Sequence, residues 1–195
     1  MEHFYQNIEG WFDFQEIYRA FVSSARNPSH FVEVGAWYGK SSAFMAVEIA
    51  NSGKSIQFDV VDHWQGSWEH KEGSFAEDKN IVKEGDIYAR FLQNLAPARA
   101  YINPIRAASL DAAARYPDES LDLVFLDAGH DYADVAADIR AWYPKVKVTG
   151  IIAGHDFSRC WPGVIQAVTE FPYFDQSKVI KAGLCWVYHK VASIP

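Results

Sequence analysis

The sequence predicts an α/β fold: a doubly wound, mostly parallel sheet of seven strands with helices on both faces and an antiparallel edge strand. Two patterns carry the prediction. Short apolar runs alternate with longer stretches of helical spacing along nearly the whole chain, as in βα repetition. The last two apolar runs are separated only by a turn at Gly183, as in a hairpin. The chain has 195 residues and no linker, internal repeat or low-complexity tract, so one domain spanning 1–195 is expected.

Taken in order, Trp11, Phe12, Phe14, Ile17, Tyr18, Phe21 and Val22 recur at helical spacing. They predict a helix over 11–25 within an N-terminal helical segment, 1–29. Asn27, Pro28 and Ser29 stop it before a first strand at 31–34. A helix from about Ser41 to Asn51 follows, ended by Ser52, Gly53 and Lys54. The second strand is 56–61, closed by Asp62. Residues 63–84 are rich in Gly, Trp, Glu, Lys and His. They are too polar for core and too long for an ordinary connection, so they read as a lid or substrate loop. A helix over 87–95 is closed by Pro97, and a third strand at 100–105 precedes a helix at 110–116. The fourth strand is 121–126, followed by a helix over 134–143 that Pro144 stops. The fifth strand is 148–153. A helix at 164–171 and two closing strands at 179–180 and 185–189 complete the chain.

Composition narrows the function. A net charge of −7 and the lack of a Lys/Arg cluster argue against nucleic acid as main partner. Two cysteines, Cys160 and Cys185, without a Cys-x-x-Cys pair, fit a reducing cytoplasm and no thiolate zinc site. The N-terminus lacks the pattern of a signal peptide, and no apolar run approaches the roughly 20 residues of a membrane span. A cytoplasmic protein acting on a small molecule, away from membranes, is expected.

In open α/β sheets ligands bind outside the carboxyl ends of the strands. The first strand ends in Glu33-Val34-Gly35-Ala36-Trp37-Tyr38-Gly39-Lys40-Ser41. Gly35 lets backbone come close to a ligand, because it lacks a Cβ and tolerates positive φ. Gly39 sits where the next helix packs against the strand, and Glu33 offers an acceptor beside a ligand's cationic or hydroxylic end. Trp37 stands where a dinucleotide fingerprint has its second glycine, which argues against a pyrophosphate, and so against NAD. Asp62, beside His63, either accepts both hydroxyls of a ribose or caps a turn. Ser109, after Ala107 and Ala108, either lies along an adenine edge or caps the next helix.

Asp127 and Asp156 end the fourth and fifth strands. Neighbouring strands lie about 4.8 Å apart, so the two carboxylates can converge on a hard divalent cation such as Mg²⁺. His155 is a third candidate ligand, although imidazole favours softer metals. The alternative for Asp156 is a hydrogen bond to loop backbone. His130, three residues beyond Asp127, is a candidate general base, since imidazole titrates near neutrality. Its alternative is a loop histidine that orders the turn with Asp131. Trp64, Trp68 and Phe75 are candidates to stack on a flat acceptor.

The pattern Glu-x-Gly-x-x-x-Gly-x-Ser over 33–41 resembles the first motif of the catechol O-methyltransferase group. Its tryptophan is similar to that of macrocin O-methyltransferase-like enzymes. Together with the run from Phe125 to Tyr132 and Gly154-His155-Asp156-Phe157, it makes residues 30 to 190 resemble a class I S-adenosylmethionine-dependent methyltransferase. The resemblance is closest to a broad methyltransferase domain family. It implies a Rossmann-like fold, S-adenosyl-L-methionine as cofactor, and O-methylation of a small hydroxylated molecule. The cofactor contacts it implies are Glu33, Gly35, Ala36, Trp37, Gly39, Ser41, Asp62, His63, Ala108, Ser109 and Asp127. It further implies a divalent cation, Mg²⁺ or another, on Asp127, His155 and Asp156, with His130 catalytic and a homodimer as the common assembly. Three departures stand out: catechol-type enzymes carry lysine at the position of His130, His155 replaces a carboxylate, and 63–84 matches neither group's substrate region. The rival readings are N-methylation, hydroxylation or hydrolysis on the same fold, and a non-catalytic cofactor-binding module.

Overall fold

Along Leu121–Leu126, Leu123 and Phe125 enter one apolar cluster while Val124 and Leu126 enter another. This period of two means that both faces of the sheet are covered. The computed structural model describes residues 1–192, so the last three residues of the expected 1–195 domain lie outside the described residues. Its strands are β1 (Ser29–Val34), β2 (Ile56–Asp62), β3 (Asn103–Arg106), β4 (Leu121–Leu126), β5 (Val146–Gly154), β6 (Ile180–Ala182) and β7 (Cys185–His189). They form one seven-stranded sheet in the order β3-β2-β1-β4-β5-β7-β6. Strands β1 to β5 run parallel, and β7 enters antiparallel between β5 and the edge strand β6.

The helices are α1 (Gln15–Ser24), α2 (Lys40–Ser52), α3 (Lys79–Glu84), α4 (Tyr88–Asn94), α5 (Ser109–Ala113), α6 (Tyr132–Trp142) and α7 (Pro162–Glu170). On one face Tyr18, Phe44 and Phe91 pack with Phe31, Phe58 and Phe125. On the other, Ala112, Ile139, Trp142 and Val168 pack with Val32, Val61, Val124 and Ile152. Each such large side chain, fully buried, contributes about 1.5–3 kcal/mol. Among the described residues no helix is long and apolar enough to cross a membrane.

Three elements differ from the sequence expectation. Helix α1 starts at Gln15, not residue 11, because Gly10 takes φ 127° and Trp11 leaves the helical track to stack on Trp37. The third strand is shortened to Asn103–Arg106 by 3₁₀ turns over Ala96–Tyr101, which carry a proline in their first turn. Residues 63–84 are not an open loop: they hold a 3₁₀ turn at Trp68–His70 and the helix α3.

The strand register is what builds the site. Val34 pairs with Val61 on one side and Leu126 on the other, and Leu126 pairs with Gly154. Four strand ends are therefore level. Gly35, Asp62, Asp127 and His155 leave the sheet side by side, at the β1/β4 junction where the strand order reverses.

Candidate active site

The turn after β1 is shaped by close approach. A Cβ on Gly35, whose φ is +90°, would lie 2.0 Å from the Asp127 carbonyl oxygen. Only glycine fits there. Trp37, Trp64 and Asp156 also take positive φ, at 46°, 58° and 58°. Three non-glycine residues in this region around one cleft are a local strain that the surrounding contacts must hold. Asp62 supplies part of that hold. Its Oδ2 accepts from the amides of Ala36 (2.8 Å) and Trp37 (3.0 Å), and its Oδ1 from the Trp64 amide (2.6 Å).

The cleft has two lobes that share Gly35, Ala36, Trp37, His70, Asp127 and Ala128 as a common wall. The first, about 660 Å³, is lined by Asp62, His63, Ala108 and Ser109 as well. The second, about 560 Å³, is lined by Ser41, His130, His155 and Asp156, by Phe75 and Trp161, and by residues 9–13 of the N-terminal segment. Two residues expected at the cofactor line neither lobe. Gly39 lies behind the turn, where a Cβ would meet Leu95 and Phe91. Glu33 is 1% exposed, accepting from the Tyr18 hydroxyl (2.7 Å) and from Ser42 Oγ. Burial pushes its carboxyl up to about 7, against the opposing hydrogen bonds of Ser42, Ser41 and Tyr18.

In the first lobe Ser109 donates to Asp138 Oδ1 (2.5 Å) and accepts from Trp142 Nε1 (2.9 Å). Asp138 is pushed up to about 6 by burial, which the Ser109 bond only partly offsets. The sequence reading missed Asp138. Its signal was an acidic residue inside the apolar run from Val135 to Ile139.

In the second lobe, Asp127, His130 and Asp156 place one ligand atom each within 4.8 Å of one another. The sequence reading had His155 in that set. His155 sits alongside instead, with Nε2 2.9 Å from Asp13 and Nδ1 3.1 Å from Asp156 and 3.6 Å from Asp127. Both of its nitrogens are engaged. Burial lowers the affinity of His155 for a proton, but hydrogen bonds to Asp127 and Asp156 outweigh that and hold it at about 11. His130 Nε2 lies 2.9 Å from Asp156 Oδ2, and its Nδ1 lies 3.0 Å from Glu69 Oε1. Here too burial opposes the charge, and Asp156 and Glu69 raise the imidazole to about 10. Asp156, which burial alone would raise, is held well below the usual carboxylate range by the two histidines.

The 63–84 segment spans the cleft. Asp78 accepts from Trp37 Nε1 (3.0 Å) and the Tyr38 hydroxyl (3.1 Å), and it also caps α3. Trp64, expected to face the acceptor, is 1% exposed; its Nε1 donates to the Trp37 carbonyl and its rings pack on Tyr88 and Phe91. It is core. Trp68 and Phe75 are exposed, and Phe75 contacts Trp161 at the mouth of the second lobe. Glu69, Asp78 and Asp13 were not foreseen, because each is defined by a partner distant in sequence.

A family model described as a methyltransferase domain matches residues 32–157. An uncharacterized protein of Sinorhizobium fredii is 28% identical over 156 residues; the match takes in 79% of this chain but only 16% of that protein. The chain thus spans a small part of the relative's length. Among solved structures, the O-methyltransferase NovP is similar with a TM-score of 0.66 at 20% identity, over 91% of this chain and 79% of that one. A calicheamicin methyltransferase gives 0.68 at 13% identity, over 90% and 76%. At these identities the likeness is one of fold.

Proposed function

The chain belongs to the methyltransferase domain family, and from that premise we propose that it moves the methyl group of S-adenosyl-L-methionine to a hydroxyl oxygen of a small molecule. The observation that supports the proposal is the level register of β1, β2, β4 and β5, which brings the residues at four strand ends around one cleft. The first lobe suits the nucleoside. Asp62 lines it and, with about four lone-pair directions of which three amides take three, can accept from a ribose while it pins the turn. Ser109, Ala108, Asp138 and His63 line the rest. The turn from Gly35 to Trp37, with Ser41, lines the second lobe and suits the amino-acid end. Glu33 supports that turn from behind and does not line the lobes.

S-adenosyl-L-methionine, when bound, supplies an electrophilic methyl group. A divalent cation would be held by Asp127 and Asp156, whose oxygen donors suit Mg²⁺, and would supply positive charge that acidifies the acceptor hydroxyl. His130 receives the hydroxyl proton at Nε2, the nitrogen on the side of Asp156 in the second lobe. With Asp156 engaged elsewhere, His130 loses one of the partners that keep this nitrogen protonated. Trp161 and Phe75 wall the acceptor side. Alignment of oxygen and methyl carbon is the main contribution of the protein.

Thermal shift with S-adenosylhomocysteine, NAD and Mg²⁺ in parallel tests the proposal. Stabilisation by S-adenosylhomocysteine and not by NAD is expected. No response to S-adenosylhomocysteine would remove the methyl-transfer reading. Asp156→Ala should abolish the Mg²⁺ response. His130→Ala should spare cofactor binding while slowing turnover by roughly 10²–10⁴-fold.

A further inference from the structure

Glu69 is a carboxylate held almost wholly out of water. It sits in the 3₁₀ turn Trp68–His70 and is 2% exposed. Among the described residues no lysine or arginine pairs with it; its partners are Ser67 Oγ and His130 Nδ1, at 3.0 Å. The other nitrogen of His130 points at Asp156 in the second lobe, and its ring lies flat on Trp161, with centroids 4.2 Å apart and planes at 25°. The imidazole is therefore gripped at both nitrogens and on one face.

We propose that Glu69 is a positioning residue, which accepts the Nδ1–H of His130 and so assigns Nε2 to receive the proton of the acceptor hydroxyl. The inference rests on the methyl-transfer reading above. An ionised carboxylate accepts and cannot donate, so the contact requires a hydrogen on Nδ1. Nε2 faces the Asp156 carboxylate at 2.9 Å in the same way, so it too carries a hydrogen while that contact stands. Once Asp156 turns to another partner, Nδ1–H keeps its acceptor in Glu69 and Nε2–H does not, and the neutral ring then has its lone pair on Nε2. In the transfer, the acceptor O–H bond breaks and its proton forms an N–H bond at Nε2. The oxygen's electron pair forms the new bond to the methyl carbon. The pair of the breaking S–C bond stays on sulfur, which leaves as a neutral thioether. Glu69 faces the imidazolium that results.

Glu69 also rides on the segment that Asp78 fastens to Trp37 and Tyr38 on the donor side. The same segment thus touches the turn after β1 through Asp78 and the imidazole of His130 through Glu69.

Proton NMR of the protein in water reads the contact directly. A far-downfield imidazole N–H resonance is expected, assigned to His130 by its absence in His130→Asn. Glu69→Gln should move it upfield or broaden it away, and Glu69→Asp should retain part of the shift. Absence of the resonance in the wild type, or an unmoved resonance in Glu69→Gln, would overturn the proposal. Calorimetry with S-adenosylhomocysteine separates the two ideas: a wild type that fails to bind sinks the methyl-transfer reading, whatever the resonance does. Unchanged binding by Glu69→Gln shows that its fold is intact, with Glu69→Asp as the second variant should it not fold. With catechol as probe acceptor, Glu69→Gln should lower kcat about tenfold or more and leave KM for S-adenosyl-L-methionine unaltered. An undiminished kcat would overturn the positioning role; if the wild type leaves catechol untouched, the resonance alone decides.

Discussion

Glu33 ties Tyr18 of α1 and Ser42 of α2 to the end of β1, and it does so at 1% exposure. Its folded-state pKa, about 7, lies above the ordinary 4.5. The stability gained from the neutral buried carboxyl is therefore full below about pH 4.5 and is lost as pH rises through about 7. At roughly 1.4 kcal/mol per unit, the loss is on the order of 3 kcal/mol. Glu33→Gln should flatten the stability curve over this window, measured as denaturant midpoint against pH. A slope equal to that of the wild type would show that the carboxyl is already ionised in the fold. The sequence marked Glu33 as important but for a different reason. A carboxylate beside a glycine turn reads as a ligand contact until Tyr18 and Ser42 are seen beside it, and Tyr18 comes from a helix that precedes the strand.

At the scale of elements, the 63–84 segment was legible as a covering piece and illegible as a packed one. Its length and polarity set it apart from an ordinary connection, yet Trp64, Glu69 and Asp78 are buried. Their partners are Trp37, Tyr38 and His130, and no local pattern announces such distant pairings. The strands and the glycine turn were legible because they rest on short-range periodicity and on the backbone freedom of one residue, Gly35. Helix α1 was overextended for the converse reason: Trp11 keeps helical spacing in sequence but stacks on Trp37, ring centroids 5.1 Å apart, in space. Asp78→Ala removes the cap of α3 and both bonds to the donor turn. It should cost about 1 kcal/mol of global stability and markedly speed amide exchange over 66–84. Exchange as slow as in the wild type would show that other contacts seat the segment.

Across the whole molecule, the far side of the sheet is pinned by Asp59, which receives His30 Nε2 (2.8 Å), the Tyr116 hydroxyl (2.7 Å) and Asn103 Nδ2 (3.0 Å). Burial would raise this carboxyl, but these bonds hold it at about 2. Its contribution is present above the ordinary value of 3.8 and is lost as pH falls toward 2, on the order of 2 kcal/mol in all. Asp59→Asn should remove that acid limb from the stability profile; an unaltered limb would assign it to other groups. A last consequence follows from the wall the two lobes share. Trp37 and His70 border both, and the segment carrying His70 covers both. The lobes proposed for donor and acceptor thus adjoin along this wall, and we expect the donor to be seated before the acceptor. Steady-state kinetics should then be sequential and ordered, with S-adenosylhomocysteine competing with S-adenosyl-L-methionine but not with the acceptor. Competition against both substrates would mean that they bind in either order.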